Sequence, residues 1–238
     1  MIGLGLGNNL SNSKVSEFLL TDISGLQLWL KNATGITVNG GNVETWADQS
    51  GNGNDAGQTS AGRRPAYSSG DVNFDGSDDR LNLSSSISLS SFSVFFVINP
   101  DAEVSMGMAG SASNQCFRVH QGGDADRVTV KGVAGDSDQQ NLTQDLPTTK
   151  AYVLSITRDG SGSTDNVKVY INTSEVTDTA RDSMIPAPLA IADIGSASGA
   201  FLPFDGLLNE VAIYNTLLTS GEITSVQNDI IARNSISV

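Results

Sequence analysis

The chain has 238 residues, of which 38% are hydrophobic, 6% aromatic and 25 are glycine, enough apolar material for a sizeable core with frequent turns between short runs. Its 26 acidic and 13 basic residues leave a formal net charge of −13, which repels nucleic-acid phosphate and anionic lipid headgroups and so excludes nucleic acid and membrane as expected partners. The single cysteine, Cys116, excludes an intramolecular disulfide and a thiolate metal cluster.

Residues 1–22 stand apart. Gly alternates with Ile or Leu from Ile2 to Gly7, a polar Asn/Ser stretch follows, and Val15, Phe18, Leu19 and Leu20 close the segment. Glycine at every second position disfavours helix and strand alike. The segment reads as a Gly-rich N-terminal arm that orders against something else, with one domain at 23–238. The start has no basic n-region and no long apolar h-region, so it is not read as an export signal. The Asn-X-Ser/Thr sequons at Asn9, Asn32, Asn82, Asn141 and Asn172 then have no glycosylating compartment to meet.

From Ile23 onward the pattern is short strands. Leu26, Leu28 and Leu30 fall on one face and Trp29 on the other. Asn39-Gly40-Gly41 has the chemistry of a type I′ hairpin turn. Val43–Asp48 continues extended, and a polar loop around Asn52-Gly53 follows. Val72-Asn73-Phe74 is a strand ending at Asp75-Gly76, with Leu81 and Leu83 alternating beyond the turn. Phe92–Ile98 is the strongest apolar run and reads as a buried central strand closed by Pro100. Further strands are expected at Phe117–His120, Arg127–Val133, Tyr152–Thr157, Val167–Ile171, Ala190–Gly195 and Leu207–Tyr214. Thr219-Ser220-Gly221-Glu222 fits a capping box, and Ile223, Val226, Ile230 and Ile231 continue at helical spacing. Strands at such intervals, with one late helix, predict an all-β, two-sheet antiparallel sandwich.

Four blocks carry a resemblance. They are Leu28-Trp29-Leu30, Trp46–Asn54, Asn73–Leu81 and Phe204–Asn215, the last running on to Glu222. In this order they resemble the concanavalin A-like, laminin-G-like jelly-roll family. The resemblance implies a jelly roll whose first and last strands are neighbours, with a short C-terminal helix. It also implies that calcium is a cofactor to consider, since many relatives hold it. The family's frequent Tyr-Val-Asn-Gly stretch is Tyr170-Ile171-Asn172-Thr173 here, so the turn glycine is missing.

Chemistry is sparse. Asp48, Asp75 and Asp205 sit beside turns, where an Asp bonds its own backbone; as carboxylates they are also the calcium candidates. Asp159–Asp165 alternates oxygens like an EF-hand loop but lacks its Gly and its final Glu. The six glutamates, Glu17, Glu44, Glu103, Glu175, Glu210 and Glu222, form no Glu-x-Asp-x-Glu strand of the glucanase kind. The only histidine, His120, has no Gly-x-Ser-x-Gly nucleophile to serve, and Gly107–Gly110 lacks the Lys-Ser/Thr of a phosphate loop. No catalytic residue is assigned, and the chain is read as a non-enzyme. Carbohydrate recognition needs an aromatic platform and polar rim groups; Tyr67, Phe201 and Tyr214 are the candidates for the platform.

Three functions compete on this reading. The first is a structural protein of a tailed-phage virion, a capsid decoration or fibre component made in the host cytoplasm. It would meet other virion proteins, or itself, through the arm. The second is a lectin-like module binding a cell-surface glycan. The third is a glycoside hydrolase, against which the missing acid pattern counts.

Overall fold

The computed structural model describes residues 18–112, 115–132, 138–161, 167–180 and 188–237. Most of the expected arm, residues 1–17, and part of the Asp159–Asp165 run lie outside them. Strands β1 (Leu26–Leu30), β2 (Ile36–Asn39), β3 (Asn42–Trp46), β4 (Ala56–Gly57), β5 (Ala66–Ser68) and β6 (Asp71–Asp75) are short. β7 (Leu81–Leu89) and β8 (Phe92–Pro100) are long, and β9 (Met106–Ala112), β10 (Gln115–Val119), β11 (Arg127–Lys131) and β12 (Asp138–Leu142) follow. The chain continues with β13 (Tyr152–Arg158), β14 (Lys168–Ile171), β15 (Ser174–Glu175), β16 (Thr177–Ala180) and β17 (Leu189–Ile194). It ends with β18 (Ser196–Ser198), β19 (Phe201–Pro203), β20 (Asp205–Tyr214) and the helix α1 (Ser220–Arg233).

All pairings are antiparallel. The back layer runs β14-β13-β8-β20-β1. β20 also pairs with β6 over Asp205–Leu207, and the ladder continues through β5 and β3 to β4. The front layer then runs β4-β7-β17-β9-β10-β11-β12-β16. The chain is an all-β antiparallel sandwich with one C-terminal helix, as a jelly roll requires.

The central strand β8 is apolar on both faces because both are covered. Phe92, Val94, Phe96 and Ile98 enter the core between the layers, while Phe95 and Val97 lie under α1 with Ile223, Val226 and Ile230. The capping box holds: Thr219 Oγ1 accepts the Glu222 N–H at 3.3 Å, and the Thr219 N–H donates to Glu222 Oε2 at 2.8 Å. Gly40 and Gly41 both have positive φ, as the type I′ turn between β2 and β3 requires.

One expectation needs correction. Leu26 does not share a face with Leu28 and Leu30: a bulge between Leu26 and Leu28 shifts the β1 register, and Leu26 packs with Trp29 on the helix side. The described end of the expected arm packs against the sandwich. Leu20–Asp22 forms a 3₁₀ turn, Leu20 is fully buried beside the helix, and its carbonyl accepts the Tyr214 hydroxyl at 2.9 Å. Among the described residues, no helix is long and apolar enough to cross a membrane.

Candidate functional site

The site grows from one strand and the turn after it. Along β6, Val72 and Phe74 point into the core, so alternation presents Asp71, Asn73 and Asp75 outward. At Gly76 the chain turns back. Asp75 Oδ1 accepts the N–H groups of Ser77 at 2.9 Å and Asp78 at 3.4 Å, and Asp79 Oδ2 accepts the Asp75 N–H at 3.1 Å. The turn thereby gathers Asp75, Asp78 and Asp79, each with a carboxylate oxygen within 4.8 Å of the others. Asp205 joins them across the β6–β20 ladder, where it is the register partner of Asp75.

Arginines surround this acidic turn. Arg63 Nε lies 3.4 Å from Asp78 Oδ2, and Arg80 donates to the Asp78 carbonyl at 3.2 Å. The largely buried Arg64 donates to the Gln58 carbonyl at 2.7 Å and pairs with Glu44 at 2.5 Å. Between them is a cleft of ≈ 290 Å³ lined by Asn42, Arg64, Ala66, Asn73, Asp75 and Asp79, among others.

The electrostatics follow from crowding. Burial pushes the Asp79 carboxyl up to about 6, and neighbouring Asp75 and Asp78 add to the rise against the bond from the Asp75 N–H. Burial, Asp101 and Asp75 raise Asp205 as well. The cleft therefore offers amide groups, the Arg64 guanidinium and two acids, of which Asp79 protonates in mildly acidic solution. Such a set bonds sugar hydroxyls in both directions. Asp75, Asp78 and Asp79 are also close enough for their oxygens to share a hard cation, although Asp75 Oδ1 is already engaged by backbone N–H groups.

The sequence candidates separate. Asp75 and Asp205 come together. Asp48 lies elsewhere and is consumed by structure: it accepts the N–H groups of Trp29 at 2.9 Å, Ser50 at 2.8 Å and Asn54 at 3.0 Å, and the Ser50 hydroxyl at 2.7 Å. That pattern pins the polar loop to β1. Tyr214 is fully buried with its hydroxyl bonded, so it is no glycan platform. Tyr67 is half-buried and packs on the inter-layer core. Phe201 alone stays well exposed, with the Arg118 guanidinium 5.3 Å from its ring centre. Sequence reasoning missed Asp78, Asp79, Asn42 and Arg64. The run of acids around Gly76 was the available signal.

Glu210, Cys116 and His120 are buried. Glu210 is fully buried and bonded to Trp29, Arg233 and Asn234. Cys116 is buried and free, its Sγ accepting Arg118 Nε at 3.0 Å. His120 is fully buried, and burial lowers its pKa.

Comparison with known proteins places this geometry. No curated protein sequence matches the chain. Among solved structures, domain 4 of AbnA, a GH43 extracellular arabinanase from Geobacillus stearothermophilus in complex with arabinotriose, aligns with a TM-score of 0.61 and 20% identity. That alignment covers 85% of this chain and 98% of that one. Trypanosoma rangeli sialidase aligns with a TM-score of 0.56 and 15% identity over 88% of this chain but 34% of its own. The botulinum neurotoxin type G receptor binding domain does so with a TM-score of 0.56 and 14% identity, over 87% and 51%. At these identities the likenesses establish the fold alone. The sequence profile of the concanavalin A-like lectin/glucanases superfamily matches residues 74–224, from Phe74 of β6 into α1. That match spans more than half of the chain, and the chain belongs to this superfamily.

Proposed function

We propose that the protein is a non-catalytic carbohydrate-binding module, and that the cleft beside β6 receives a sugar residue. The observation that carries this reading is the cleft itself: ≈ 290 Å³ on a lectin-like fold, with Asn42, Asn73, Asp75, Asp79 and Arg64 among its lining residues. Its volume falls near the lower end of small-ligand sites, ~300–1,000 Å³, and suits one ring of an oligosaccharide. The negative charge of the turn favours a neutral sugar. The arabinotriose held by the arabinanase domain supports the reading by analogy of fold.

The test is a glycan array of neutral and acidic oligosaccharides, followed by calorimetry on any hit. Binding is expected, and Asn73→Ala and Asp79→Asn are expected to weaken it about tenfold, the loss of one or two polar contacts. An array without hits, or variants that bind as tightly as the parent, would sink the proposal.

One observation favours a hydrolase, the raised Asp79 carboxyl beside Asp75. Against it, both acids come from one turn and not from two walls flanking a bond. Release of reducing sugar from the array hits decides between them. No feature of the described residues or of the comparisons favours the virion component.

A further inference from the structure

A second pocket lies where the β14–β15 turn meets the loop leading into β13. Its volume is ≈ 200 Å³, and its lining includes Gln144, Lys150, Tyr152, Asn172, Thr173 and Ser174. It shares no lining residue with the acidic cleft, and β8 and β20 stand between the strands that carry the two.

Tyr152 is the unusual member. It is fully buried, and its hydroxyl oxygen has no hydrogen-bond partner among the described residues. Burial pushes its pKa above the ordinary tyrosine value, so the phenol is a neutral donor at any physiological pH. A sealed, unpaired hydroxyl is unfavourable for folding unless something else uses it.

The turn above it is rigidly set. Asn172 adopts the left-handed conformation at φ 55°; its N–H donates to the Val153 carbonyl at 2.7 Å, and its Oδ1 accepts the Val153 N–H at 3.0 Å. This pair of hydrogen bonds clamps the turn onto the residue next to Tyr152. Thr173 occupies the position of the family's usual turn glycine, so the pocket wall is this chain's own.

The rim carries an unclaimed charge. Lys150 makes no ion pair among the described residues, and the carboxylate on the turn, Glu175, is taken by Lys168 at 3.1 Å. The lining thus combines a cation with the donors of Gln144, Tyr152, Thr173 and Ser174. Gln144 and Lys150 are exposed, and both line the pocket together with Tyr152.

We infer that this pocket binds a sugar residue bearing a carboxylate, a uronic acid, with Lys150 pairing the carboxylate and the Tyr152 hydroxyl donating to a ring or hydroxyl oxygen. The acidic cleft repels such a sugar, so this site is separate from the one proposed above and stands or falls independently of it.

The experiment titrates the ¹⁵N-labelled full chain with D-glucuronate and with D-glucose, following amide shifts. Glucuronate is expected to move the Lys150, Thr173 and Ser174 amides, and glucose to move them at least tenfold more weakly. Lys150→Gln should abolish that preference, and Tyr152→Phe should lower glucuronate affinity about fivefold. Tyr152→Phe should also raise the melting temperature of the free protein by about 2–4 °C, since it removes an unpaired buried hydroxyl. A phenol serving structure alone would lower it. Glucuronate shifts confined to the acidic turn, no shifts at 20 mM, or unchanged binding by both variants would overturn the inference.

Discussion

At the scale of the residue, Asp79 links stability to pH. Its folded-state pKa stands at about 6 against an ordinary 3.8, through burial first and the neighbouring Asp75 next. Between those values the folded protein holds a proton that the unfolded chain has lost. The stabilising contribution is therefore full below the ordinary value and disappears as pH rises through 6. Asp79→Asn keeps an acceptor for the Asp75 N–H and removes the titration. Thermal melts from pH 4 to 7 should show the variant gaining on the parent as pH rises; parallel curves would show that the carboxyl feels no burial. The same residue marks the limit of sequence reading. Asp75 and Asp205 were legible as turn acids, but their meeting depends on the β6–β20 pairing, which joins segments far apart in the chain. Asp48 was a turn acid like them in sequence, though not directly before a Gly, and its four accepted hydrogen bonds identify it as a loop brace.

At the scale of the element, the helix is fastened at both ends. The capping box fixes its start, and Arg233 fixes its end by pairing with the fully buried Glu210 at 2.7 Å and with Asp229 at 2.5 Å. Arg233→Met would strand the Glu210 charge with only Trp29 and Asn234 as donors, a loss of about 3–5 kcal/mol. Urea denaturation measures it, and a loss below 1 kcal/mol would mean that solvent reaches Glu210. The helix was legible because its cap and its spacing agree. The β18–β19 hairpin was not, because its strands are only three residues long, too short to show alternation, and its reason for lying where it does is in another strand. It crosses β9, where a side-chain carbon on Gly107 or Gly110 would sit 2.2 Å from the Ala197 nitrogen or 2.1 Å from its oxygen. Gly110→Ala must therefore push the hairpin off the sheet, and a melting temperature lowered by several degrees, equivalent to about 1–3 kcal/mol, is expected. An unshifted melt would show that the hairpin is not held there.

At the scale of the whole molecule, the architecture was legible from strand spacing and the four blocks. The long apolar run of β8 announced a strand covered on both sides. The front layer was read incompletely. β9 is glycine-rich, and β12 and β16 carry too few apolar residues to show alternation, so pairing and not side-chain pattern makes them strands. Function was less legible than fold because the sandwich uses its conspicuous residues for itself. Trp29, Trp46 and Tyr214 are all buried, and the polar groups that line the two pockets are ordinary residues brought together by the fold.

The pairing of β1 with β20 has a consequence for how the protein is made. Leu26 faces Tyr214 and Leu30 faces Val211, so the back layer cannot be completed until β20 has been made, about 180 residues after β1. β8 waits for β20 on one edge, and its Phe95 and Val97 wait for α1. A nascent chain leaving the ribosome thus carries its most apolar strand with one edge and its helix-side face uncovered until β20 and α1 emerge, and in that interval it is open to aggregation.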